Sequence, residues 1–257
     1  MKRAEDLVVL KTHWLNYKTF VIDLEATEEL PDIQPGQFAE ILIDNSRKVF
    51  LRRPFSFYNA NKDTRTISFF VKVVGEGTRL LGEMKKGDKL NVLYPLGNSF
   101  KVNSGKRTLI VAGGTGIAPF LMLGKQLKTA KKEVTFLFGA RNSEEIVLLD
   151  QFTPLGKVEV TTEDGSMGTT GMVTHHAIFR QGKLHFDEIY TCGPDAMMKA
   201  VARIAAAEGI PCQVSLENTM ACGFGACLCC ITPSVRGNIC VCTEGPVFDI
   251  KELTWQS

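Results

Sequence analysis

Six of the eight cysteines in this 257-residue chain fall between Cys222 and Cys242. Cys222-Gly-Phe-Gly-Ala-Cys227-Leu-Cys-Cys230 spells C-x4-C-x2-C, and Cys242 follows in Val241-Cys242-Thr-Glu-Gly-Pro. Thiolates at this spacing suit a plant-type [2Fe–2S] cluster, in which four sulfurs converge on two irons. The intervening residues suit it too, because Gly223 and Gly225 admit positive φ and let main-chain N–H groups approach sulfur. Structural zinc is the rival, since four thiolates also satisfy tetrahedral Zn. Zinc sites favour paired C-x2-C knuckles, however, and only one pair here has that spacing. A disulfide framework would staple the whole chain, whereas this sulfur is gathered in one place. Cys222, Cys227, Cys230 and Cys242 are assigned as ligands. Cys229 and Cys240 are surplus, and either could replace a neighbour, Cys240 in place of Cys242 above all.

Four other stretches carry groups that can hold phosphates or a flavin. A flavin dinucleotide needs a cation at its pyrophosphate, an apolar wall along its ring and a hydroxyl near N5. Arg52-Arg53-Pro54-Phe55-Ser56 offers Arg53, Phe55 and Ser56 for these tasks from one strand, whose alternate side chains are expected to line one face. Gly75-Glu-Gly77-Thr78, opening a helix at Arg79, is a second phosphate-type turn. Gly113-Gly114-Thr115-Gly116-Ile-Ala-Pro119 joins a buried strand to a helix, and its N–H groups can receive a dinucleotide pyrophosphate. It departs from G-x-G-x-x-G because Pro119 stands where the third glycine would fall. Cys192-Gly193-Pro194 closes another strand at its carboxyl end, where open sheets place ligands. Each has a blander reading: an exposed basic strand, an ordinary turn, a small buried thiol. His175, His176 and His185 lack partners at ligand spacing and read as surface or loop residues. No catalytic acid or base is expected.

The elements that must position these groups change character along the chain. The first hundred residues read as short strands: Asp6 to His13, Tyr17 to Glu25, Phe38 to Ile43 and Arg65 to Val74. In the last, Ile67, Phe69, Val71 and Val73 alternate onto one face. Such strands suggest a small antiparallel barrel or sandwich. From Lys106 the chain alternates apolar strands with helices, as in an open, Rossmann-like parallel α/β domain. The last forty residues are rich in Gly and Cys. The expected division is a β-barrel domain at 1–103, an α/β nucleotide domain at 104–214 and a small cysteine domain at 215–257. A net charge of +2 and scattered Lys and Arg argue against nucleic acid and anionic membranes as partners. No long apolar run or export signal is seen, so a cytoplasmic, reducing setting is expected.

Together the motifs resemble the electron-transfer subunits of class 1B dihydroorotate dehydrogenases, a family within the ferredoxin-reductase-like proteins. The likeness covers essentially the whole length. It rests on Leu51-Arg-Arg-Pro-Phe-Ser56, Gly75-Glu-Gly-Thr-Arg-Leu-Leu81, Pro95-Leu-Gly-Asn98 and Gly113-Gly-Thr-Gly116, followed by Asp164-Gly-Ser-Met-Gly168, Cys192-Gly-Pro194, Cys222-Gly-Phe-Gly-Ala-Cys227 and Cys242-Thr-Glu-Gly-Pro-Val-Phe248. It implies that Arg53, Pro54, Phe55 and Ser56 contact FAD, with Phe70, Val71 and Lys72 from the next strand and Gly77 and Thr78 at the phosphates. It implies that the four chosen cysteines hold a [2Fe–2S] cluster, and that NAD accepts the electrons. The implied partner is an FMN-containing catalytic subunit that oxidises dihydroorotate in pyrimidine synthesis, two copies of each chain forming a heterotetramer. Phe55 departs from a position often aliphatic in the family, and the span from Cys230 to Cys242 is short. A flavin reductase subunit of ferredoxin, sulfur or hydrogenase systems, or a zinc-stabilised nucleotide-binding assembly protein, are the alternative readings.

Overall fold

The computed structural model describes residues 2–43, 49–180 and 182–256. They gather into two compact units, one comprising Met1–Ser99, Asn218–Thr232 and Cys240–Pro246, the other Phe100–Glu217, Pro233–Ile239 and Val247–Ser257. Of the segment that follows Glu217, the stretches bearing its cysteines fall in the first unit and the rest in the second.

In the first unit, β1 (Arg3–Trp14), β2 (Thr19–Glu25), β3 (Phe38–Leu42), β4 (Arg53–Asn61), β5 (Thr66–Lys72) and β6 (Lys89–Leu96) close a barrel in the order β1-β2-β5-β4-β3-β6. All its ladders are antiparallel, and β1 pairs with β6 to remove the open edge. The inner face is dry: Leu7, Ile22, Ile41, Phe57, Phe69 and Val92 are fully buried. The expected alternation in β5 is present, with Ile67, Phe69 and Val71 all buried. A short helix, α1 (Glu76–Gly82), links β5 to β6 and starts three residues earlier than the sequence suggests.

In the second unit, β7 (Arg107–Gly113), α2 (Phe120–Thr129), β8 (Glu133–Ala140), α3 (Leu149–Phe152), β9 (Lys157–Thr162), β10 (Thr169–Thr170), α4 (Ala177–Arg180), β11 (Glu188–Cys192), α5 (Asp195–Ala207) and β12 (Cys212–Ser215) follow in turn. Residues 108–113 of β7 are all buried, as a strand covered on both faces must be. α2 packs Leu123, Gly124 and Leu127 inward. A Cβ on Gly124 would stand 2.9 Å from the Phe136 ring, so glycine lets the helix sit close on the sheet. After a two-stranded ribbon of β13 (Ile231–Ser234) and β14 (Gly237–Cys240) and the helical turn α6 (Val241–Glu244), β15 (Val247–Asp249) returns antiparallel to β12. The sheet order is β10-β9-β8-β7-β11-β12-β15. The chain works outward from β7 to one side and then resumes at β11 on the other, so the topological switch lies between β7 and β11.

Candidate functional site

The cysteine segment lies on the outside of the barrel. Gly223 has φ 74° and Gly225 φ 88°, and Leu228 also takes positive φ, so the loop coils tightly. A Cβ on Gly223 would sit 2.6 Å from Glu40 Cγ and 2.9 Å from Leu96 Cδ1, which places this turn flush on β3 and β6. Burial alone would raise the Cys222 thiol. The N–H groups of Phe224, Cys227 and Ala226, with the Cys227 side chain, outweigh it and hold Cys222 down at about 6. Burial pushes Cys242 up to about 12, aided by the neighbouring Cys230 thiol and opposed by the Gly225 N–H. The Cys242 N–H donates to Cys230 Sγ at 3.4 Å, and both residues are buried, whereas Cys227 is exposed. Among the described residues no three His, Cys, Asp or Glu side chains close around a point that a single ion could fill. The fit to an iron–sulfur group rests on the donors: four thiols, N–H groups aimed at sulfur, and glycines where a side chain would block the loop. Burial raises Cys240 and so does the nearby Cys230, which places it beside the same thiols; Cys229 is exposed.

On β4 the two arginines divide their tasks. Arg52 is tied down, donating to the carbonyls of Glu40 and Asn91 and to Asn91 Oδ1. Arg53 donates to the Leu51 carbonyl, and its Nε lies 3.5 Å from where a Cβ on Gly77 would stand. The cation and the Gly75–Thr78 turn thus meet, and a Cβ on Gly77 would also press on Val49 Cγ1 at 3.2 Å and Ile43 Cδ1 at 3.4 Å. The Thr78 hydroxyl is engaged within its own turn, accepting from the N–H groups of Val74 and Gly75 and donating to the Gly75 carbonyl. The pleat corrects one expectation. Arg53 and Phe55 pair across to Ile41 and Ala39, whereas Pro54 and Ser56 pair to Glu40 and Phe38, so Arg53, Phe55 and Ser56 do not share a face. Val71 turns into the barrel with Phe69, which leaves its main chain for any ligand, and Phe70 packs on Tyr58 with ring centroids 6.0 Å apart.

At the switch point, Gly113 ends β7 and Gly114–Ile117 forms a 3-10 turn before α2. A Cβ on Gly116 would lie 2.2 Å from the Cys192 carbonyl oxygen, and one on Gly193 would lie 2.9 Å from Gly113 N. A Cβ on Gly113 would meet Met197 Sδ and Pro194 Cδ, each at 2.8 Å. The structure therefore brings Gly113, Gly116, Cys192, Gly193 and Pro194 together in one crevice at the carboxyl ends of β7 and β11. Gly114, at φ 55°, has open space where its side chain would be.

Two carboxylates escaped the sequence reading. Glu217, just past β12, accepts from the Cys192 thiol at 3.8 Å; burial raises both groups, and the nearby Glu217 charge raises the thiol further. Glu40 is fully buried on β3, and neither carboxyl oxygen has a hydrogen-bond partner. Burial lifts it to about 7 against the pull of Arg52, with Cys222 adding to the rise. A glutamate in an otherwise apolar strand, Phe38-Ala-Glu-Ile-Leu42, was the available signal.

Two family models match the chain. Residues 217–254 match the iron-sulfur cluster binding domain of dihydroorotate dehydrogenase B, and residues 110–203 match the oxidoreductase NAD-binding domain. The chain is 43% identical over 224 residues to the dihydroorotate dehydrogenase B (NAD+) electron transfer subunit of Caldanaerobacter subterraneus subsp. tengcongensis, covering 85% of this chain and 86% of that one. It is similar to a solved chain from a study of flavin-based electron bifurcation by an NADH-dependent reduced ferredoxin-NADP oxidoreductase, with TM-score 0.86, 30% identity, and 97% and 90% of the two chains covered. A ferredoxin NADP+ reductase from Neisseria gonorrhoeae, solved with FAD and NADP, shares the fold at TM-score 0.68 and 20% identity over 80% of this chain and 92% of that one.

Proposed function

The chain belongs to the family of dihydroorotate dehydrogenase B (NAD+) electron transfer subunits, and from that premise we propose how its residues divide the work. It is an oxidoreductase subunit served by FAD, an iron–sulfur cluster and NAD. When bound, the cluster supplies single-electron transfer, and FAD matches single electrons to hydride exchange with the nicotinamide.

Cys222, Cys227, Cys230 and Cys242 hold the cluster. The N–H groups around Cys222 favour its thiolate near neutral pH, the form that binds metal. Arg53 neutralises the FAD pyrophosphate beside Gly77, while Thr78 spends its hydroxyl shaping that turn. Pro54, Phe55 and Ser56 contact the flavin, with Phe70, Lys72 and the main chain of Val71 from β5. Gly113, Gly114, Thr115 and Gly116 receive the dinucleotide, and Cys192, Gly193 and Pro194 form the facing wall of that crevice. Burial, with Glu217 beside it, keeps the Cys192 thiol protonated, so it packs against a ligand as a neutral group. Substrate oxidation falls to a partner, an FMN-containing catalytic subunit with which this chain forms a heterotetramer of two copies each, in the cytoplasm.

The observation that carries this reading is a four-thiol loop lined with N–H groups and mounted on a barrel that also brings Arg53 to Gly77. The test is to mix anaerobically purified chain with the FMN subunit, add dihydroorotate and NAD, and follow NADH absorbance. NADH should form only when both chains are present. The likeness to a ferredoxin-NADP oxidoreductase supports a second reading, a reductase of ferredoxin. Ferredoxin-dependent NADH oxidation without any dihydroorotate-dependent signal would establish that reading instead.

A further inference from the structure

The barrel strand β6 ends at Leu96 and the chain runs on through Gly97-Asn98, and these three consecutive residues touch both halves of the cysteine segment. Leu96 Cδ1 lies 2.9 Å from where a Cβ on Gly223 would stand, one residue after Cys222. The Asn98 N–H donates to the Gly245 carbonyl at 2.7 Å, and Asn98 Nδ2 donates to the Glu244 carbonyl at 2.8 Å. Those carbonyls close α6, the helical turn that carries Cys242. Carbonyls at a helix end have no partner within the helix and must find one elsewhere. The other end of that turn is tied to the third cysteine, since Val241 N–H donates to the Cys230 carbonyl at 3.1 Å. Between these contacts Gly97 leaves no slack. It has φ 71°, a Cβ on it would stand 2.5 Å from Pro246 Cδ and 2.8 Å from the Gly245 oxygen, and Gln37 Nε2 holds its carbonyl at 3.0 Å.

We propose that Leu96-Gly97-Asn98 is a spacer built into the flavin barrel that sets the separation of Cys222 from Cys242, with Asn98 as a positioning residue for the cluster. Cys222 and Cys242 lie 20 residues apart, with the β13–β14 ribbon between them; within the segment the turn bearing Cys242 is tied to Cys230, eight residues from Cys222. The barrel supplies a fixed reference for both.

The proposal rests on the four cysteines being the ligands, and its test keeps the two claims apart. Wild type, Asn98→Ala and Asn98→Gln are prepared anaerobically. Each is measured for iron and FAD content, for the electron paramagnetic resonance spectrum of the reduced cluster, and for the rate of iron loss to a chelator. Asn98→Ala should keep FAD at the wild-type level, show an altered resonance spectrum and lose iron on the order of fivefold faster, the factor one hydrogen bond of ordinary net strength is worth. Asn98→Gln, which keeps the donor, should recover part of the loss. A loaded wild type alongside an Asn98→Ala protein with the same spectrum and the same rate overturns the proposal. Wild type that holds no iron overturns the ligand assignment instead. Gly97→Ala, which pushes directly on Pro246, is the second variant and should shift the same spectrum.

Discussion

The glycine crevice of the α/β sheet and the cysteine loop of the barrel solve opposite problems. The crevice is formed by regular elements: two parallel strands end side by side, and Gly113, Gly116 and Gly193 remove the side chains that would hold them apart. Its precision comes from the sheet, and its glycines are required both for volume, at Gly113 and Gly116, and for positive φ, at Gly114 and Gly193. The cysteine loop has little regular structure of its own. Its turns depend on positive φ at Gly223, Gly225 and Leu228, and its position depends on Glu40, Leu96, Gly97 and Asn98 beneath it. A site made from strand ends is stiff by construction, whereas a site made from a loop is only as precise as what it leans on.

The largest effect should come from the thiols. Cys242→Ser should reduce iron from about two atoms per chain toward none, with loss of the cluster's visible absorption, while Cys240→Ser retains both. The reverse result would exchange the two residues in the ligand set. In the crevice, Gly116→Ala would drive a methyl to 2.2 Å from the Cys192 carbonyl oxygen, where only main chain can yield. Thermal unfolding should register a cost on the order of 3 kcal/mol, and NADH titration should show binding lost while iron content holds. Equal loss of iron would mean the two regions are less separate than their construction suggests. A smaller effect distinguishes Glu217. Because burial raises its carboxyl, the folded chain keeps a proton there that the unfolded chain has released above about 4.3. Stability from this group is thus present at acid pH and lost as pH rises through the raised value. Melting temperatures taken across that range should fall less steeply for Glu217→Gln than for wild type, and parallel slopes would remove the carboxyl from the account.

Much of this could be read from residue order. The C-x4-C-x2-C run announces its chemistry because thiolates at that spacing have few other uses, and the uniform apolarity of Thr108 to Ala112 announces a strand buried on both sides. Glycine at 113, 114 and 116 marks a close approach without saying to what. The partner of Gly116 is the Cys192 carbonyl, 76 residues away, and only the β7–β11 pairing reveals it. The same holds for Arg52 and Arg53, adjacent and chemically alike. Pleat and register tie the first to Asn91 and bring the second to Gly77.

Local sequence, then, determined the donors: the thiols, the cation, the glycines, and the periods that separate barrel from α/β sheet. Those are properties of single residues and near neighbours. Tertiary structure alone decided that Glu217 faces Cys192, that Arg52 is tied to Asn91 while Arg53 meets Gly77, and that Asn98 closes the turn bearing Cys242. Each of these depends on strand register or on contacts between distant segments, and a slip of one residue reverses every side chain along a strand.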